Sequence, residues 1–348
     1  MNRLRVAVLM GGRSSEHDIS IASARSVAAA LDPARYEVRT IEIGRDGRWQ
    51  LPGREAPGLP SQAAHAEAAE QAGGGPPVPA ADRPAPLGDV DVVFPALHGP
   101  FGEDGTVQGL LELADVAYVG SGVTASALCM DKDLFKAVMR DKGIPVTASV
   151  AARGRDRPGL ESPFGYPVVV KPARLGSSVG ISIVRAVDEL EPAVSLALEH
   201  DEKVLLEEYV RGVEVECSVL GNEDPSASLP GEIVPLLADW YDFASKYAEG
   251  GMELVVPARI SDSATARVQE LAVAAFHASD CEGLARVDCF VRDDGEVLVN
   301  ELNTIPGFTT TSVYAKLFEA SGIPYAELLD RLIELALERR DRRSRLEY

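Results

Sequence analysis

Between Arg286 and Asn303 the chain reads RVDCFVRDDGEVLVNELN, two alternating apolar and polar runs around Asp294-Gly295. Asp-Gly in that setting is a strong signal for a two-residue hairpin loop. Such a loop sets Asp293 against Glu296, and counting back sets Asp288 against Glu301 and Arg286 against Asn303. Side chains alternate faces along a strand, so these four project to one side, with paired Cβ atoms about 4.5–5.5 Å apart. Two carboxylates that close repel and raise one pKa unless a cation lies between them. With an amide oxygen they form a hard-oxygen set suited to Mg²⁺, which keeps waters and shares substrate phosphates. The alternative is a solvated polar face, but the apolar flanks Val287, Cys289, Phe290, Val297 and Val299 predict a buried site. A three-residue loop would send Glu301 to the opposite face, so the expectation turns on the loop.

A second segment, VVVKPARLGSSVGISIV, is a strand ending at Lys171, a loop with Gly176, Ser177, Ser178 and Gly180, and another strand. Glycine lets backbone N–H groups approach phosphate oxygens, hydroxyls add donors, and Lys171 supplies a point charge. An ordinary hairpin loop explains the same residues equally well, and no G-x-x-x-x-G-K-[ST] occurs anywhere. The stretch GSGVTA (Gly120 to Ala125) matches a dinucleotide fingerprint formally, but no acidic residue closes the next strand, so it reads as glycine packing a helix.

Four further segments carry polar groups on loops. MGGRSSEHDIS places Glu16 and His17 ahead of a helix N-terminus, as an anion site or simply as a helix cap. LHGPFGEDGTVQG packs His98, Glu103, Asp104 and four glycines into a strand-to-helix turn, a composition that suits close approach of a ligand. DWYDFASKYAEGG has the makeup of a lid over 238–254, or of a plain surface loop. NTIPGFTTTS follows the carboxylate hairpin directly, so the Gly307 N–H and the Ser312 hydroxyl could face the same cavity.

These groups need a scaffold, and the pattern supplies one. RVAVLMGG reads as a buried strand, ISIASARSVAAAL as a helix and YEVRTIEI as a second strand, which is a right-handed parallel unit. Residues 53–87 turn Ala-, Gly- and Pro-rich, a solvent-exposed insertion with a short helix over 63–72. Structure resumes at DVDVVFPALHG, with a strand VAYVG and a helix from Thr124 to Lys142. From Gly143 strands dominate, with helices expected over Ser263–Ser279 and Tyr325–Arg340. The order implies an α/β domain joined to α+β domains, with ligand sites at the junctions.

Of the 348 residues, 54 are acidic and 34 are Lys or Arg, giving a formal charge of −20. That field argues against nonspecific nucleic-acid binding, but not against a small anion held by local cations. Cys129, Cys217, Cys281 and Cys289 have no metal-finger or C-x-x-C spacing and read as buried thiols in a reducing compartment. The apolar run Val6–Met10 is too short for a signal-peptide core or a membrane span, so a cytoplasmic protein is expected.

Taken in order, GGRSSEHDIS, HGPFGEDGTVQG, MDK (Met130 to Lys132), VKPARLGSSVG, YDFASKY, RVD and NELNTIPGFTTTS resemble the D-alanine–D-alanine ligases of the ATP-grasp fold, over the chain from about Val6 to the terminal helix except 53–87. The resemblance implies an N-terminal α/β domain (1–120), a central ATP-grasp lobe (121–207) and a C-terminal lobe (208–348), with ATP between the lobes. It implies two Mg²⁺ ions, replaceable by Mn²⁺, on Asp288, Glu301 and Asn303. Lys132, Lys171 and Ser178 would contact phosphates, Glu207, Tyr209 and Val210 the adenine, and Glu214 the ribose. Glu16 would hold the first ammonium with Ser177 and Tyr247, and His98 would lie nearby. Arg286 and the Gly307 N–H would stabilise the oxyanion, and Lys246 and Ser312 would bind the second carboxylate. The implied reaction joins two D-alanines through an acyl phosphate, in a homodimer with no nucleic-acid or membrane partner. A depsipeptide ligase is the nearest rival, and Tyr247 favours the amine acceptor. A noncatalytic nucleotide sensor and a dinucleotide oxidoreductase are the other classes. Glu208 stands where the family often carries lysine.

Overall fold

The chain, a computed structural model, is described over residues 3–50, 87–154, 161–176, 179–236 and 251–347. Its first sheet has the order β3-β2-β1-β4-β5, built from β1 (Leu4–Gly11), β2 (Tyr36–Ile43), β3 (Trp49–Gln50), β4 (Val92–Pro95) and β5 (Ala117–Tyr118). β1 runs parallel to both β2 and β4. The continuous apolar run of β1 follows from burial on both faces. Val6, Val8 and Met10 enter one core, whereas Ala7 and Leu9 enter another. Helix α1 (His17–Ala30) covers the first face and α2 (Thr106–Leu113) the second. Leu87, expected to end the insertion, is fully buried in the second core. The rest of that insertion and its short helix lie outside the described residues.

The single helix expected over Thr124–Lys142 is two, α3 (Val123–Met130) and α4 (Lys132–Asp141). Asp131 breaks it with extended backbone (φ −88°, ψ 93°) because its side chain accepts from Leu134 N at 3.2 Å and from the wholly buried Lys203 ammonium. The Lys132 N–H leaves the helix pattern and donates to Ala173 O at 3.0 Å, which ties α4 to the loop after Lys171.

A four-stranded antiparallel sheet follows, β6 (Ser149–Arg153), β7 (Val168–Pro172), β8 (Ser182–Val184) and β9 (Lys203–Glu208), in the order β6-β9-β7-β8 and backed by α5 (Leu190–Leu198). The larger sheet holds β10 (Val213–Gly221), β11 (Ser226–Ala227), β12 (Gly231–Pro235), β13 (Met252–Val255), β14 (Gly283–Val291) and β15 (Val297–Asn303). Its path is β13-β12-β10-β14-β15, with β11 also on β10. α6 (Asp262–Ala278), α3 and α4 pack on it around Phe135, Phe276, Cys217 and Cys289. α7 (Val313–Ala320) and α8 (Tyr325–Arg343, three residues longer than expected) return to the first sheet, where Leu328, Leu329, Leu332 and Ile333 are fully buried. No helix among the described residues is long and apolar enough to cross a membrane.

The carboxylate hairpin differs from expectation twice, and the differences cancel. The loop has three residues, Asp293, Asp294 and Gly295: Arg292 N bonds Glu296 O and Gly295 N bonds Arg292 O, each at 2.9 Å. Gly295 takes φ +86°, a left-handed conformation that glycine adopts without steric cost. That loop pairs Val291 with Val297 and Cys289 with Val299. Asn300 is then extra, and beyond the bulge Asp288 faces Glu301 and Arg286 faces Asn303. Val299 at the bulge bonds outward, its N–H to Pro145 O and its carbonyl to Thr147 N, so the edge strand is covered there.

Candidate active site

Three strands line up the charges. Across β10, β14 and β15 one row reads Glu216, Asp288, Glu301 and the next Ser218, Arg286, Asn303. Arg286 donates twice to Asp288, at 2.7 Å through each of two nitrogens, and its Nε is 2.9 Å from Glu216 Oε2. Asn303 Nδ2 donates to Asp288 Oδ2 at 3.0 Å, and Lys132 Nζ lies 3.5 Å from Glu301 Oε2. Arg286 thus bridges Glu216 and Asp288, and Lys132 pairs with Glu301. Glu216 was not singled out from sequence, because its place beside Asp288 depends on a strand about seventy residues away.

A cavity of about 380 Å³ opens beside this row. Its lining includes the polar groups of Lys132, Lys171, Glu207, Asp288, Asn300 and Glu301 and the apolar side chains of Val169, Ile183, Val210, Val234 and Phe290. Lys132 Nζ donates to Leu175 O at 2.9 Å, which fixes it under the glycine loop. Lys171 Nζ lies 2.6 Å from Glu207 Oε2 and 3.3 Å from Asn300 Oδ1. Burial alone would lower the Lys171 ammonium, but Glu207 and Glu301 outweigh it and hold its pKa up. Burial would likewise raise Glu207, yet Lys136 and Lys171 bring it down to about 2. Tyr209, Val210 and Glu214 also line the cavity. Glu208 lines it too, with its charge already paired: it accepts from Ala148 N at 2.8 Å and from Arg292 at 2.7 Å. Arg174 is held by Asp201 at 2.6 Å and does not line the cavity.

The N-terminal loops meet the same region. A Cβ on Gly176 would stand 3.6 Å from Glu16 Oε2 and 3.9 Å from Glu103 Oε1, so both carboxylates reach the glycine loop. Gly99 leaves space that any side chain would take from Glu16: its Cβ would fall 2.8 Å from Oε2. Burial, then the charge of Glu16, raises Glu103 to about 8, against the pull of Lys132 and Arg286. His98 is buried, its Nδ1 3.0 Å from Ile305 O and its Nε2 3.2 Å from Ser23 Oγ. The carbonyl puts the ring proton on Nδ1, so Nε2 accepts from Ser23, whose oxygen in turn accepts from Phe308 N. Burial lowers the His98 pKa although Glu16 acts the other way. Through that chain His98 joins α1 to the loop bearing Gly307. A Cβ on Gly307 would lie 3.2 Å from Ser312 Oγ, which accepts from Thr309 N at 2.9 Å.

Ser177, Ser178, Lys246 and Tyr247 lie outside the described residues, as does most of the expected lid, whose last residues 252–254 belong to β13. With Glu216, the residues Lys136, Thr147, Asn300 and Glu103 are described site groups that sequence reasoning did not assign. For Glu103 the signal existed, since it sits in the Gly-rich His98 turn. For Lys136 only its spacing of one helical turn from Lys132 pointed to it.

Residues 5–121 match the family model described as D-ala D-ala ligase N-terminus, and residues 138–334 match D-ala D-ala ligase C-terminus. The D-alanine–D-alanine ligase of Streptomyces coelicolor is 47% identical over 364 residues, covering 96% of this chain and 93% of its own. Among solved structures, the D-alanine–D-alanine ligase of Coxiella burnetii is similar at 39% identity and TM-score 0.81, covering 99% of this chain and 97% of that one. A D-Ala:D-Ser ligase of Enterococcus faecalis shows 36% identity and TM-score 0.80, covering 96% and 100%. The Bacillus anthracis D-alanine–D-alanine ligase complexed with ATP shows 30% identity and TM-score 0.75, covering 98% and 99%.

Proposed function

The chain belongs to the D-alanine–D-alanine ligase family, and from that premise we propose how its residues work. It is an ATP-dependent carbon–nitrogen ligase that joins two D-alanines into D-alanyl-D-alanine for peptidoglycan precursors, releasing ADP and phosphate. One observation carries the reading: the facing pair Asp288 and Glu301 lines a cavity that also holds Lys132, Lys171 and Glu207 beside apolar Val169, Ile183, Val210 and Phe290.

A carboxylate is a poor electrophile, so the first D-alanine attacks the γ-phosphate of ATP to give an acyl phosphate and ADP. The amine of the second D-alanine then attacks the acyl carbon and phosphate leaves. Glu207, with backbone groups near Tyr209 and Val210, binds adenine, Glu214 binds the ribose, and Lys132, Lys171 and Ser178 bind the phosphates. Glu16, with Ser177 and Tyr247, holds the first ammonium, and His98 keeps the neighbouring loops in place. Arg286 and the Gly307 N–H donate to the oxyanion of the tetrahedral intermediate. Lys246 and Ser312 bind the second carboxylate, and the 238–254 segment excludes water from the acyl phosphate.

The residues present fit divalent ions. Lys132, Lys136, Lys171 and Arg286 are balanced by Glu207, Glu216, Asp288 and Glu301, so this group offers a polyphosphate no surplus positive charge. Among the described residues no three Asp, Glu, His or Cys side chains form a closed metal cage. Two carboxylates and the Asn303 amide instead leave positions for phosphate oxygens and water, as Mg²⁺ or Mn²⁺ requires. Mg²⁺ bound there would neutralise charge developing on the transferred phosphoryl group. A cytoplasmic homodimer rests on the family resemblance.

ADP release and dipeptide mass, measured with D-alanine alone and with D-alanine plus D-lactate or D-serine, test the reading. D-alanine alone should support turnover only when Mg²⁺ or Mn²⁺ is present. Turnover that depends on D-lactate or D-serine would assign a different acceptor, and no ADP above background would leave a nucleotide sensor.

A further inference from the structure

Lys136 is wholly buried beneath the nucleotide cavity and does not line it, and the same holds for Thr147. Both act on Glu207. A carboxylate offers about four lone-pair positions. On Glu207, Oε1 accepts from Thr147 Oγ1 at 2.8 Å and from Lys136 Nζ, and Oε2 accepts from Lys171 Nζ at 2.6 Å. Lys136 also donates to Thr147 Oγ1, closing a ring of three side chains that stops the carboxylate from turning. One lone-pair position remains, on the oxygen shared with Lys171, and Glu207, paired across the strands with Val169, lines a cavity whose other lining includes Ile183, Val210 and Phe290.

We propose that Lys136 and Thr147 are specificity-determining positioning residues: they fix Glu207 so that a single acceptor is offered to the nucleobase. The site then takes a base that presents an N–H donor at that point and rejects one that presents a carbonyl oxygen. Rejection follows because a carbonyl oxygen there would face a lone pair of a fixed buried carboxylate, which offers it no donor and repels it. The low pKa of Glu207 accords with this, since an ionised carboxylate cannot turn round and donate. The proposal rests on the cavity being the ATP site.

The test compares kcat/KM for ATP and for inosine triphosphate, which carries a carbonyl in place of the exocyclic amine. It is run on the wild type, Thr147→Val, Thr147→Ser and Lys136→Met, with D-alanine saturating and ADP as readout. The ratio of the two constants cancels the folded fraction, so a variant that only folds poorly leaves it unchanged. Thr147→Val and Lys136→Met should each lower the ATP preference by about tenfold or more, from the range expected when a site hydrogen-bonds a substrate N–H. Thr147→Ser, which keeps the hydroxyl, should retain the wild-type ratio. A wild-type ratio in both Thr147→Val and Lys136→Met, or an equal fall in Thr147→Ser, would overturn the proposal. Absence of ATP turnover in the wild type would instead bring down the ATP reading on which it stands.

Discussion

Arg286 serves two carboxylates at once, so its removal has two separable effects. Arg286→Ala takes away an oxyanion donor and should lower kcat by about 10²-fold or more. It also leaves Asp288 and Glu216 with one cation fewer in a buried place, so the unfolding midpoint in urea should fall as well. Glu301→Gln keeps the shape and removes one charge; steady-state kinetics should show a fall in kcat with little change in stability, and an unchanged kcat would refute the shared-face assignment. Glu103 gives a pH signature. Its pKa is raised from 4.5 to about 8, so the folded state holds a proton that the unfolded chain has lost between those values. Its contribution to stability is present below pH about 4.5 and is lost as pH rises through about 8. Glu103→Gln should therefore raise Tm relative to wild type more at about pH 8.5 than at about pH 5. Equal shifts at both would mean that the carboxyl titrates normally. At this scale the sequence carried the hairpin partners, since alternation puts Arg286, Asp288, Glu301 and Asn303 on one face. It did not carry Glu216 or the Lys136–Glu207 contact, because both join residues about seventy apart that only the finished sheets bring together.

Elements decide whether those residues meet. The register of β14 against β15 came out as alternation suggested, although the loop is one residue longer and Asn300 restores the phase. Local rules see the Asp-Gly turn, but the bulge depends on Val299 bonding to the 145–147 segment, which is a tertiary event. The break at Asp131 has the same origin: residues 124–142 have helical spacing throughout, and the partner that holds Asp131 out of the helix is Lys203. An ordinary N-cap lost to alanine costs about 1 kcal/mol. Here Asp131→Ala also takes one of two carboxylates from a fully buried ammonium, leaving Asp133 at 3.2 Å, so the loss should approach the about 3–5 kcal/mol of a broken buried pair. Urea unfolding of Asp131→Ala, Lys203→Met and the double variant checks this. The double variant should be more stable than the sum of single losses predicts, and strict additivity would show that the pair is not coupled.

The whole molecule is closed by its last helix. α8 completes the core of the first sheet, and Arg339 donates to Tyr118 O at 3.1 Å and to Gly120 O, with its guanidinium 4.1 Å from the Tyr118 ring. That contact ties α8 to the turn between β5 and α3. The sequence showed the amphipathic stripe of α8 but not which sheet it would cover. Over this framework lies a formal charge of −20, while the cations at the cavity are each matched by a carboxylate. Close in, charges nearly cancel; far out, a nucleotide that keeps negative charge even with Mg²⁺ meets a repulsive field. Screening shortens that field from about 30 Å at about 0.01 M salt to about 8 Å at about 0.15 M. The association rate constant for ATP, followed by stopped-flow fluorescence at fixed free Mg²⁺, should therefore rise severalfold across that range, whereas the rate of the chemical step should not change. A rate that falls with salt would mean that the local lysines, not the net charge, govern the encounter, and the balance drawn between cations and carboxylates around Asp288 would have to be wrong.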